Sequence, residues 1–164
     1  MITPESTIRP YSPRDVSSLV ALFRASVRTL ARRDYTEAQL RAWAPDFIGK
    51  EQFALRRTTQ STWIAEIGGH IAGFSDLEAD GHVDMLYVHP EYQRRGVARA
   101  LLAHVEAVAR DWGIERLYTE ASITARPVFE VMGFHILAPQ MVTVRGESRK
   151  NYRMEKQLAP SATT

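Results

Sequence analysis

A chain of 164 residues with 45% apolar content is long enough to bury one core, and its net charge of only +2 gives little support to a polyanion-binding role. It has no cysteine, which excludes disulfides, a thiol nucleophile and Cys-based metal sites, and its five histidines lack His-x-x-x-His spacing. No apolar run approaches a membrane span and no signal-peptide core is visible, so a cytoplasmic, bacterial protein without metal or membrane partner is expected.

Residues 8–10 read as a first strand. Ser12-Pro13-Arg14-Asp15 carries a helix-start signal, with proline early and an acid three residues after the cap. Val16, Leu19, Val20, Phe23, Val27 and Leu30 follow at helical spacing. Short helices are predicted over 36–44, stopped by Pro45, and over 50–58. Gly68-Gly69 joins strands 62–67 and 70–77 as a hairpin, and Asp80-Gly81 turns the chain into a strand over 83–88. In the long helix that follows, Ala98, Leu101, Leu102, Val105, Val108 and Trp112 form one apolar stripe, closed by Gly113. A strand over 116–121, a helix over 124–132 capped by Gly133, and strands over 134–137 and 151–156 complete the pattern. Residues 1–158 are expected to form one domain and 159–164 a disordered tail. Arg32-Arg33, Arg56-Arg57 and Arg94-Arg95 are separated pairs rather than one basic stripe, so no nucleic-acid partner is expected.

The most informative stretch is Leu86-Tyr-Val-His-Pro-Glu-Tyr-Gln-Arg-Arg-Gly-Val-Ala-Arg99. It joins an apolar strand to the long helix through a proline-broken turn and a basic glycine loop. The first turn of a helix presents N–H groups without intrahelical partners, and the helix dipole adds partial positive charge there. Gly96 lets the backbone approach a ligand, while Arg94, Arg95 and Arg99 bring cationic side chains. Together they suit a phosphate or pyrophosphate. The spacing is neither the Gly-x-Gly-x-x-Gly dinucleotide loop nor a Gly-Lys-Ser/Thr P-loop.

Gln93-Arg94-Arg95-Gly96-Val97-Ala98 resembles the acyl-CoA-binding motif Gln/Arg-x-x-Gly-x-Gly/Ala of the GCN5-related N-acetyltransferase (GNAT) superfamily, and the preceding Val88 to Tyr92 run is similar to theirs. The order of these elements resembles that family's over nearly the whole chain. The resemblance implies an α/β (α+β) fold, with a mixed, mostly antiparallel twisted sheet of about seven strands flanked by helices and a splayed strand pair at the acyl-CoA site. It implies acetyl-CoA as co-substrate, held by Leu86, Tyr87 and Val88, by Gln93, Arg94, Arg95, Gly96, Val97, Ala98 and Arg99, and by Ser122 and Phe129. A monomer or homodimer acting on a small-molecule or peptide amine is expected.

Acyl transfer to an amine needs a proton acceptor, an N–H donor for the developing oxyanion, and a proton for the departing thiolate. In the resemblance Leu86 supplies the oxyanion N–H and Val88 meets the pantetheine amides. Strand period places His82, Asp84 and Leu86 on one face, and either His82 or Asp84 could take the amine's proton. The chain departs from the family's Asn-x-x-Ala-x-x-x-Tyr-Glu-x-x-Gly-Phe motif: Ser122 stands for Asn and Phe129 for the tyrosine that protonates the thiolate. A phenyl ring donates no proton, leaving Ser122, Tyr152, Tyr118 or water for that task, or a catalytically silent acyl-CoA-binding or regulatory protein; Tyr152 and Tyr118 read more readily as aromatics packed on a strand face. Tyr35, Trp43 and Phe74 are candidate acceptor contacts, the first two equally readable as packing residues.

Overall fold

The computed structural model describes residues 5–159; the expected tail falls outside these residues except for Ala159. Strand β1 (Thr7–Pro10) leads through a single 3-10 turn into helices α1 (Val16–Leu30), α2 (Glu37–Trp43) and α3 (Lys50–Thr59). Then come β2 (Ser61–Ile67), β3 (His70–Leu77), β4 (Leu86–Val88), α4 (Val97–Asp111), β5 (Arg116–Ser122), α5 (Arg126–Val131), β6 (His135–Val144) and β7 (Glu147–Gln157). Two antiparallel ladders result, β1-β2-β3-β4 and β5-β7-β6. They meet at one parallel bridge between His82 and Tyr118. The α/β architecture is the expected one, with the sheet opened between β4 and β5.

Local chemistry sets the helix starts. The Asp15 carboxylate accepts from the Ser12 N–H at 2.9 Å, and Arg9 holds that carboxyl below its ordinary range. At α2, Thr36 and Gln39 cap one another reciprocally. Leu19, Val20, Phe23 and Val27 of α1 bury against Ile64 and Phe74, and Leu101, Leu102 and Val105 of α4 carry the other half of the core. The α4 stripe is rotated from its predicted position at both ends. Val97 and Ala109 are buried there, whereas Trp112 is 47% exposed because the chain turns away at Gly113.

Two strands depart from the sequence pattern. The strand predicted over 83–88 is regular only from Leu86, because Asp76 intervenes. Its Oδ1 accepts from the N–H groups of both Asp84 and Met85 at 2.9 Å, and Ser75 Oγ donates to the Met85 carbonyl at 2.7 Å. Side chains thus replace part of the ladder, and the segment bulges. Conversely, β6 and β7 run far beyond 134–137 and 151–156, meeting at Arg145-Gly146, where φ is +48° and +81°. Both turn residues have positive φ, as a two-residue hairpin turn of this hand requires. The outer strand β6 is largely exposed and lacks a strong apolar alternation, so its length was not legible. Among the described residues no helix is long and apolar enough to cross a membrane.

Candidate active site

The gap between β4 and β5 begins just past the bridge. Val83 N–H donates to the Tyr118 carbonyl at 2.9 Å, and Thr119 Oγ1 donates to the Val83 carbonyl at 2.7 Å. Beyond this point β4 pairs only with β3, and β5 only with β7. Along β4, Met85 accepts from Asp76 and His89 donates to Ala72, both on β3. Backbone groups alternate sides along an antiparallel strand. The intervening Leu86 and Val88 therefore turn their N–H and C=O groups toward the gap.

Two cavities meet across this opening. One, of about 500 Å³, is walled by Arg56, Arg57, Asp84, Glu120, Arg149 and Asn151 among others. The second, of about 160 Å³, runs between Val27, Val88, Ala98 and Val128. Trp43, Leu86, Tyr87, Ser122 and Ala125 line both, so they form one passage through the sheet. Ala98 brings the smaller cavity to the first turn of α4. There Gly96 is the N-cap with φ +78°, Arg94 also has positive φ, and a Cβ on Gly96 would meet open space. Among the described residues the amides of Arg94 to Arg99 have no protein hydrogen-bond partner. Gly73 on β3 sets how closely α4 approaches: a Cβ there would lie 2.8 Å from the Tyr87 carbonyl and from Val97. The cradle suits an elongated anion such as a pyrophosphate, and the passage continues from it into the opened sheet. Arg95 is turned aside, pairing with Glu5 at 2.9 Å and covering Tyr92, so only its backbone faces the cradle.

The predicted polar residues are distributed unevenly. Asp84 lines the larger cavity, 3.2 Å from Arg56 and 4.0 Å from Arg57. His82 does not line it. Its Nε2 meets Glu120 at 2.8 Å, its Nδ1 meets Glu78 at 3.2 Å, and its ring stacks on Tyr118. Glu120, with help from Glu78 and against the opposing cost of burial, raises the His82 pKa from 6.5 to about 9. At neutral pH it is an imidazolium, a structural cation holding the bridge rather than a base. A raised folded-state pKa gives stabilisation that is complete below pH 6.5 and is lost as pH rises through about 9. Melting temperature should therefore fall between pH 7 and 9. His82→Gln should flatten that slope, removing on the order of 1–3 kcal/mol at pH 6 after allowing for solvent screening; equal slopes in both proteins would refute the assignment.

Ser122 lines both cavities, and its Oγ accepts from the Ala125 N–H at 3.0 Å, which leaves its proton free to be donated. Phe129 is buried edge-on against Phe134 at the wall of the larger cavity. Tyr152 and Tyr118 line neither cavity. The Tyr152 ring lies under Arg126 and Lys150, and Tyr118 donates to Asp80, which raises its pKa to about 12. Tyr35 is a packing pin: its hydroxyl donates to the Lys150 carbonyl at 2.6 Å and accepts from the Ile123 N–H at 2.9 Å. Phe74 is fully buried beneath Tyr87, out of reach of any substrate. Trp43 does reach the cavities, with Arg149 4.3 Å above its ring.

Several wall residues carried no sequence signal as site residues. Arg57, half of a separated basic pair, is 2% exposed and bonds Asp76 at 2.7 Å. Glu120, Arg145, Arg149 and Asn151 enter only through β5 and the long β6–β7 hairpin. Strand alternation through 147–151 places Arg149 and Asn151 on one face of β7.

Comparisons with known proteins agree with this geometry. Residues 31–156 match the family model of the acetyltransferase (GNAT) domain. The chain is 36% identical over 147 residues to the uncharacterized N-acetyltransferase YafP of Escherichia coli, covering 90% of this chain and 93% of that protein. A crystal structure of a GCN5-related N-acetyltransferase from Rhodopseudomonas palustris superposes with a TM-score of 0.92 at 36% identity, covering 96% of this chain and 99% of that one. At 19% identity, an N-acetyltransferase from Thermoplasma acidophilum in complex with coenzyme A shares the fold with a TM-score of 0.77, covering 93% and 99%. The chain belongs to the GCN5-related N-acetyltransferase superfamily.

Proposed function

We propose that this protein is a cytoplasmic enzyme that transfers an acetyl group from acetyl-CoA to a primary amine of a small molecule or peptide by direct attack within a ternary complex. The observation that carries this reading is the passage through the opened sheet, where the free backbone edge of β4 lies between two joined cavities. The Thermoplasma acidophilum relative, solved with coenzyme A, supports the choice of thioester.

In this reading the amides of Arg94 to Arg99, with the Arg94 and Arg99 side chains and Gln93, hold the pyrophosphate. Val97 is anchored in the core, and Ala98 and Val88 flank the thioester arm. The Leu86 N–H meets the developing oxyanion, with Tyr87 beside it. The amine nitrogen bonds to the acetyl carbon, the C–S bond breaks, and the electron pair leaves on sulfur. Asp84 accepts the amine's proton, directly or through water. The Ser122 hydroxyl hydrogen-bonds the departing thiolate in place of the phenol that Phe129 lacks, and water supplies the proton that sulfur finally takes. A silent acyl-CoA-binding protein would bind through the same cradle, so turnover separates the two.

Gly96→Asp tests the cradle. It places a fixed negative charge in the anion site, where it competes with the pyrophosphate for the free amides, at a backbone φ of +78° that L side chains adopt only with strain. Calorimetry should show coenzyme A affinity reduced by about 10- to 100-fold, the loss expected for charge-assisted contacts. Unchanged affinity in a folded variant would remove the loop from the coenzyme site.

A further inference from the structure

The larger cavity holds more positive charge than its own carboxylates neutralise. Its ionisable walls are Arg56, Arg57, Arg145 and Arg149 against Asp84 and Glu120. Both carboxylates are already engaged, Asp84 with Arg56 at 3.2 Å and Glu120 with the His82 imidazolium at 2.8 Å. Arg57 is matched by Asp76 at 2.7 Å. Among the described residues Arg145 and Arg149 have no carboxylate partner, and Arg145 gives one N–H to the Ala42 carbonyl at 2.7 Å.

The Arg149 guanidinium makes no hydrogen bond to the protein among the described residues. It is half-buried, stacked 4.3 Å from the Trp43 ring centre, and burial pushes its pKa down. A guanidinium stacked in this way presents its N–H fork in a fixed plane. Two residues along β7, on the same face, Asn151 is 7% exposed, and its Oδ1 is buried without a hydrogen-bond partner. A half-buried guanidinium without a hydrogen bond beside a buried, unsatisfied amide oxygen is costly unless a ligand or water meets them.

We propose that the acceptor is an amine bearing a carboxylate, which the Arg149 fork receives while the Asn151 amide hydrogen-bonds the polar groups beside it. This rests on the N-acetyltransferase reading above and narrows its acceptor to amino-acid-like molecules. Polyamines fit poorly, because a second ammonium would enter beside an uncompensated guanidinium.

The test compares matched acceptors with acetyl-CoA: amino acids, their carboxamides, the decarboxylated amines and a diamine, read by thiol release. The carboxylate-bearing member of each set should show kcat/KM higher by about 10- to 100-fold, chiefly through KM, as a charge-assisted fork contributes. Arg149→Gln should bring that ratio close to one, and Arg149→Lys, which keeps the charge without the fork, should retain part of it. Melting temperature and coenzyme affinity establish that each variant is folded, and if Arg149→Gln does not fold, the wild-type ratio decides. Equal or better use of carboxamides or the diamine by the wild type overturns the inference but leaves the transferase reading standing, as does an unchanged ratio in folded Arg149→Gln. Failure to acetylate any amine, with coenzyme bound, overturns both.

Discussion

Asp84→Asn should slow acetyl transfer by roughly 10²–10⁴-fold, the usual range for loss of a general base, with coenzyme A affinity nearly unchanged. The substitution keeps the size and much of the hydrogen bonding of a side chain that lines the larger cavity. It removes only the capacity to accept the proton that an ammonium must lose before it attacks. The ion pair with Arg56 is a small structural concern, since that arginine is 62% exposed and such pairs contribute about 0–1 kcal/mol. The deficit should shrink as pH rises, because more amine then arrives deprotonated. Full activity of Asp84→Asn at pH 7 would move the role elsewhere. Glu120 would become the next candidate, as the other carboxylate on the cavity wall.

Asp76→Ala should destabilise the fold by about 3–5 kcal/mol, the loss typical of breaking a buried ion pair. Asp76 and Arg57 are both essentially inaccessible, with side chains 0% and 1% exposed. Burial raises the Asp76 pKa, opposed by the Arg57 guanidinium and the Met85 N–H, so the ionised pair is no free gain. Removing one partner strands the other charge and leaves the Asp84 and Met85 N–H groups without their acceptor. For a domain of this size that corresponds to a fall in melting temperature of roughly 2–4 °C per kcal/mol. Asp76→Asn, which keeps an oxygen for the two N–H groups, should lose less. The bulge also aims Asp84 and frees the edge at Leu86, so surviving Asp76→Ala protein should bind coenzyme yet turn over poorly. A melting temperature within a degree or two of wild type would contradict this account of the bulge.

What could be read from the sequence was local. The strand, loop and helix around Leu86 to Arg99 announce themselves because turn chemistry, glycine placement and helical period all act within a few residues of one another. The residues that shape the acceptor side are brought together across the fold instead. Arg57 and Asp76 are 19 positions apart, on a helix end and a strand, and nothing in either neighbourhood marks the other. Asp76 also explains why the apolar run from Val83 is not one strand, so period alone misplaced His82 on the active face. Arg149 and Asn151 stayed hidden because an edge hairpin exposed to solvent carries little hydrophobic pattern. For Tyr35, Tyr118 and Tyr152 the sequence leaves both readings open, since residue type alone does not tell a phenol in a cleft from one that pins strands together.

The most direct measurement of the central claim is mass spectrometry of amine acceptors incubated with the protein and acetyl-CoA, alongside release of free thiol. The account predicts acetylated amine and thiol in equal amounts, formed only when protein, acetyl-CoA and amine are all present. Coenzyme binding at the Gly96 cradle without acetylation of any amine would contradict it, and would identify the protein as an acyl-CoA-binding member of its superfamily that has lost turnover.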